Sequence, residues 1–160
     1  MSDVGSPEVW LKPSPRLLMM RRTEVGLAAA AAAAIVAAIV GPHAGGGWAG
    51  LGAAVALVLG LVAERIAAGR YHSWGYCERS KDLLVRRGLL FRRLTVVPYG
   101  RMQLVDVTAG AAERLFGLST VKLHTAAATS DARIPGLPPE EANRLRDRLA
   151  ALGEAQAAGV

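Results

Sequence analysis

Two long apolar runs open the chain, and short alternating runs follow them. Val25–Val40 carries no charge, proline or strongly polar side chain. As a helix it covers roughly 24 Å, slightly short of a ~30 Å hydrocarbon core. Starting at Thr23, with Arg21 and Arg22 reaching back to the interface, makes up much of the deficit. The second run, Ala44–Ala63, is long enough to span and ends at Glu64-Arg65. Gly41-Pro42-His43-Ala44-Gly45-Gly46-Gly47 lies between them. Proline and clustered glycines break helices, so this stretch predicts a tight turn and an antiparallel pair. Trp48 stands where an interfacial aromatic is expected. A soluble alanine-rich hairpin is the competing reading, and the lack of a polar face argues against it. The small residues Ala49, Gly52, Ala53 and Ala56 permit close packing, within the hairpin or between hairpins of a homo-oligomer.

Beyond Tyr71 the apolar runs shorten to strand length and turn residues separate them. Tyr71–Cys77 alternates, with Trp74 and Tyr76 on one face. Asp82–Arg87 places Leu83 and Val85 together, and Gly88 turns the chain into Leu89–Val97, which Pro98 ends. Gln103–Thr108 and Thr120–Ala126 alternate likewise, Thr129-Ser130-Asp131 marks a turn, and Arg133–Ile134 is a short strand. Pro138-Pro139-Glu140-Glu141 has the proline and acids of a helix start. Ala142, Leu145, Leu149 and Leu152 make one apolar stripe, and Gly153 is the expected stop.

The expected organisation is a flank over 1–22, a transmembrane hairpin over 23–66 (helices at about 23–40 and 46–66), a β-rich domain over 71–153, and a disordered tail over 154–160. The fold class is α+β: a transmembrane hairpin followed by a curved antiparallel barrel of the pleckstrin-homology plan, capped by the C-terminal helix. That helix buries its stripe most economically against the open end of a curved sheet.

Composition agrees. Of 160 residues, 52% are hydrophobic but only 5% aromatic, which fits alanine- and leucine-rich spans. The net charge of +6 lies beside those spans, a membrane pattern more than a nucleic-acid one. Lys12, Arg16, Arg21 and Arg22 precede the hairpin, Arg65 and Arg70 follow it, and the connecting turn has no Lys or Arg. Both termini and the domain are therefore expected in the cytoplasm of a multi-pass cell-membrane protein. Residues 1–24 do not read as a signal peptide. No helix-turn-helix, zinc-finger or RNP-like signature supports nucleic-acid binding.

Little in the chain reads as chemistry. The single cysteine, Cys77, and the scattered His43, His72 and His124 have no metal-ligand spacing. No nucleophile elbow, zinc-protease or phosphate-loop motif occurs, so neither enzyme activity nor a cofactor is expected.

One combination of segments is distinctive. Trp74–Tyr76, Asp82-Leu83-Leu84-Val85-Arg86-Arg87-Gly88, Val97-Pro98-Tyr99-Gly100-Arg101-Met102-Gln103 and Arg114-Leu115-Phe116-Gly117-Leu118 together resemble the YdbS-like bacterial membrane proteins with a pleckstrin-homology domain. The resemblance runs from about Leu11 to Leu152. It implies a PH-like fold beside the membrane and no reaction. It also implies a partner, since such relatives often accompany a larger membrane protein bearing several such domains. The function expected is membrane-proximal protein–protein interaction or assembly. The alternatives are recognition of a lipid headgroup or peptide, or an accessory subunit of a transport complex.

The candidate site residues fall in two groups. Arg86, Arg87, Arg92 and Arg93 flank the Gly88 turn, where they are either solvated cations or contacts to anionic membrane lipids. Trp74, Tyr76, Pro98, Arg101, Gln103, Arg114, Phe116 and Gly117 form the interaction or structural motif. Within it, Trp74 and Tyr76 are read as packing more than ligand stacking. Gln103 is read as satisfying backbone at a barrel corner, and Arg101 as pairing with Asp106 or Glu113.

Overall fold

A computed structural model describes residues 9–44, 46–125 and 131–158 of the chain. Two long helices come first: α1 over Pro15–Ala44 and α2 over Gly46–Ser73. They lie antiparallel, and both are long and apolar enough to cross a membrane, with mean hydropathy 1.6 and 1.9. Leu27, Ile35, Leu57, Val58, Leu59 and Leu61 point outward, which in water would leave a large apolar surface uncovered. The inward positions are small: a Cβ on Gly60 would lie 2.8 Å from Ala29, and one on Gly52 would collide with Val36. Gly52 and the buried Ala56 therefore serve packing within the hairpin.

The helices exceed the expected bounds at both ends. The turn expected over Gly41–Gly47 is mostly helix, since α1 runs through Pro42 to Ala44 and α2 restarts at Gly46. Pro42 lies in the last turn of α1, where its missing N–H forfeits one internal hydrogen bond, and in lipid a helical backbone is the cheapest way to satisfy the rest. The span from Thr23 to Ala44 is thereby roughly 33 Å long, enough for a ~30 Å core. At the other end α2 continues to Ser73, because nothing between Glu64 and Tyr71 breaks it. The strand expected over Tyr71–Cys77 is thus only β1, Gly75–Glu78, and Trp74 sits in the junction before it.

Among the described residues six strands form two antiparallel sheets. The first is β1, β2 (Asp82–Arg87) and β3 (Arg93–Pro98), in that order. The second is β4 (Met102–Thr108), β5 (Ser119–Thr125) and β6 (Ala132–Leu137). The α+β, PH-like plan is the one expected, with the curved barrel made of two sheets that do not join into a closed ladder. Pro98 has no N–H to carry the ladder onward, and a 3-10 turn at Tyr99–Arg101 separates the sheets. The β3 strand is also shorter than the expected Leu89–Val97, leaving 88–92 as a loop. The Thr129-Ser130 part of the expected turn lies outside the described residues.

The helix α4, Pro139–Ala158, closes the core. Ala142, Leu145 and Leu149 are fully buried among Leu83, Val97, Tyr99, Leu123 and Ile134, so the apolar stripe is used as its spacing requires. Gly153 does not end the helix, and the expected disordered tail is helical to Ala158. Part of the reason is local: Gln156 Oε1 accepts a 3.1 Å hydrogen bond from the Gly100 N–H.

The flank before the hairpin is built into the domain. Leu11 pairs with Tyr76 through hydrogen bonds of 2.8 and 3.0 Å, adding a single bridge to the free edge of β1. The Ser14 N–H donates to the Gly136 carbonyl, and the Tyr71 hydroxyl to that of Pro13. Leu17 and Met20 then bury themselves against Leu118, Phe116 and Tyr71. Both ends of the hairpin are fixed to the domain, so the domain cannot swing far from the lipid surface.

Candidate membrane-facing site

The boundary between apolar span and charge is visible in the helices. Arg22 Nε of α1 donates to Glu64 Oε1 of α2 at 2.7 Å, and Arg21 pairs with Glu24 at 2.8 Å. Two residues further along α2 comes Ile66, and there the β2–β3 loop arrives. Leu89 shares a cavity with Leu61 and Val62, the last turn of the apolar run. A Cβ on Gly69 would lie 2.8 Å from Leu89 Cδ1. The loop tip is thus held at the level where the span ends.

The local chemistry explains the loop. Gly88 has φ +115°, and a Cβ there would strike the Phe91 carbonyl, so only glycine fits this turn. Its N–H donates to Ser73 Oγ at 3.3 Å, and that hydroxyl donates to the Arg70 carbonyl at 2.7 Å. The chain of bonds ties the loop to the end of α2. Leu90 and Phe91 nonetheless point away from the protein, 87% and 88% exposed. An apolar pair this bare, beside an apolar span, is a feature for a lipid interface more than for water.

The four arginines around the turn do not act as one group. Strand alternation sends Arg86 to the opposite face from Arg87, where its guanidinium stacks on Trp10, 4.7 Å from the ring centroid. Arg87 and Arg93 face each other in register at the base of the loop. Arg92 is exposed beside them. A cavity of ≈ 880 Å³ opens here, lined by Arg87 and Arg93 together with Arg70 of α2, Arg133 of β6 and Trp74. A second cavity of ≈ 530 Å³ shares Arg70, Arg133, Trp74 and Ile66. Arg70 and Arg133 were not legible as site residues, because they come from elements far apart in sequence. The only available signal was that each carries a lone cation next to an apolar run.

The motif residues are structural in position. Tyr76 is buried in the core, and Trp74 packs partly against it from the junction. Pro98 closes β3. Gln103 is exposed at the irregularity between Met102 and Leu104, so it occupies a bulge and does not satisfy buried backbone. Arg101 is exposed. Glu113, its expected partner, is engaged elsewhere, accepting from the Gly110 N–H at 2.8 Å and from Thr120 Oγ1 at 2.6 Å. A short helix that the sequence reading missed, α3 over Ala111–Leu115, explains the rest. Gly117, at φ +62°, donates to the Arg114 carbonyl, while the Leu118 N–H donates to that of Glu113. That is a Schellman ending, which swings Phe116 and Leu118 onto α1 and leaves Arg114 exposed.

A further ionic cluster fastens α4 to β1. Glu78, nearly buried, lies 3.2 Å from Arg148 and 3.7 Å from Arg144, which also pairs with Glu141 at 2.6 Å. The Arg144 guanidinium holds the Glu141 carboxyl below its usual range. Among the described residues no group of histidine, cysteine and carboxylate side chains could hold a metal.

On the outer side of the domain, β3 and β4 each have one hydrogen-bonded neighbour. The outward face of β3 carries exposed Leu94 and Val96, and that of β4 carries exposed Leu104 followed by Asp106 and Thr108.

Residues 24–153 match the bacterial PH domain family. The transmembrane protein YdbS of Bacillus subtilis (strain 168) is 35% identical over 83 residues, 52% of this chain and 51% of that protein. The chain thus spans about half the length of this curated relative. No solved structure matches it.

Proposed function

The chain belongs to the bacterial PH domain family, and from that premise we infer that it is a non-catalytic membrane protein that presents its PH-like domain at the cytoplasmic surface for protein–protein interaction or assembly. The observation that carries this reading is the pair of free edges, β3 and β4, with Leu94, Val96 and Leu104 turned outward. A sheet edge offers unpaired N–H and C=O groups, and soluble proteins blunt such edges with charge or cover them. Here Leu94 and Val96 on β3 and Leu104 on β4 are exposed apolar positions, which suit a partner strand or helix laid along them. The partner belongs in or on the same membrane, because the hairpin confines the domain there. It is a second copy of this chain or a larger membrane protein of the same domain type. The cytoplasmic assignment rests on the arginines and lysine flanking both spans and their absence from the connection.

Site-specific photo-crosslinking in living cells tests this reading. A photoreactive residue at position 96 or 104 should give a discrete membrane-protein adduct, and one at exposed Asp147 on α4 should not. No adduct from either edge position would overturn the proposal.

A further inference from the structure

We propose that the cavity between α2 and the β2–β3 loop binds the phosphate of an anionic phospholipid drawn from the bilayer in which the hairpin sits. The proposal goes beyond the protein-partner reading and stands whether or not the sheet edges bind anything.

Four guanidiniums from four elements converge on this cavity: Arg70 from α2, Arg87 from β2, Arg93 from β3 and Arg133 from β6. No carboxylate lines it; Arg70 and Arg133 also border the neighbouring cavity, which Glu24 and Glu113 line, but among the described residues none of the four has an ion-pair partner within bonding distance. Some arginines elsewhere are paired, as at Arg22–Glu64 and Arg144–Glu141, but among the described residues those left single there do not converge on one cavity. Four like charges brought together without a counterion repel one another, and an anion relieves that repulsion. Planar guanidiniums suit phosphate oxygens because each can donate two parallel hydrogen bonds.

The rest of the wall selects a lipid over a free phosphate. Ile66 lies at the end of the span, Leu89 completes the apolar side, and Leu90 and Phe91 stand at its open rim. Trp74, between the cations and the apolar wall, has the amphipathic ring that favours the interface. The volume of ≈ 880 Å³ exceeds what an inorganic phosphate needs and falls in the range of sites for larger ligands. A lipid reaching it keeps its acyl chains beside α2, while Leu90 and Phe91 dip among neighbouring chains. The loop tip is then covered by the same contact that fills the cavity.

The test uses the full chain purified in detergent, with phosphatidylglycerol or phosphatidylcholine added, and native mass spectrometry to count retained lipid. Wild type should retain phosphatidylglycerol over phosphatidylcholine. The Arg70→Gln/Arg133→Gln variant should retain roughly tenfold less. An Arg101→Gln/Lys122→Gln control, which removes equal charge from other exposed positions, should match wild type. The Arg70→Lys/Arg133→Lys variant should recover part of the loss, which separates loss of binding from loss of folding. Equal retention of the two lipids, or undiminished retention by the glutamine variant, overturns the proposal. Displacement of the lipid by millimolar inorganic phosphate also overturns it, in favour of a free-phosphate site.

Discussion

Leu17, in the first turn of α1, sits directly on Gly136 of β6: a Cβ on that glycine would lie 2.6 Å from Leu17 Cδ2 and 2.7 Å from its Cβ. Gly136 also has φ +72°, a conformation that side chains rarely adopt. This contact joins the foot of the hairpin to the domain. Gly136→Ala is expected to cost about 1–3 kcal/mol through overpacking and backbone strain. Chemical unfolding of the detergent-solubilised chain measures it. Adding Leu17→Ala removes the contacts with Cδ2 and Cγ and leaves the one with Cβ, so the double variant should cost somewhat less than the sum of the two singles. Strict additivity would show that the two residues do not press on each other.

The Arg22–Glu64 pair lies where the spans meet the headgroups. Arg22→Ala and Glu64→Ala should each loosen the hairpin, with a coupling of about 0.5–1 kcal/mol, because Arg22 remains half exposed. The charge-swapped R22E/E64R variant should recover most of that coupling. A double-mutant cycle in detergent at low and high salt reads it. No coupling at low salt contradicts the pairing.

Burial pushes the Tyr76 phenol up to about 12, with Glu141 and Glu78 adding to the shift. Tyr99 rises to about 12 through burial and the charges of Glu78 and Asp82, although its hydroxyl also donates to the Arg79 carbonyl. The ordinary value is 10.0. The fold therefore favours the neutral phenols. Their contribution is intact below about pH 10 and is lost as pH rises through about 12. A spectrophotometric titration, with Tyr76→Phe and Tyr99→Phe variants to assign the signals, should show these two tyrosines ionising late, together with loss of the domain's structure. Early titration of Tyr76 and Tyr99 with the fold intact would contradict their burial.

Much of this was written locally in the chain. The spans were readable because charge is missing from Val25–Val40 and Ala44–Ala63, and the cap of the domain because Ala142, Leu145 and Leu149 repeat at helical spacing. What escaped depended on distant residues. Pro15 begins α1 because Leu17 and Met20 find Leu118 and Phe116, and no periodicity in the flank announces that. Leu11 forms one bridge, too short to alternate. Helix α3 is five residues long, below any helical repeat, although Gly117 after Leu115-Phe116 is a legible stop signal. The cavity was half legible: Arg87 and Arg93 flank a visible turn, whereas Arg70 and Arg133 join them only through packing. Arg86 belonged to the same sequence cluster but is held by Trp10 from a segment that looked like a simple flank.

The central claim is a two-span hairpin that holds both its ends, and the domain fixed to them, on one side of the membrane. Single cysteines at Gly47, in the connection, and at Asp147, on α4, test it directly in a Cys77→Ala background. Intact spheroplasts are treated with a membrane-impermeant thiol reagent, then lysed and treated again. Position 47 should label from outside and position 147 only after lysis. Labelling of 147 in intact spheroplasts, or protection of 47 until lysis, would contradict the account.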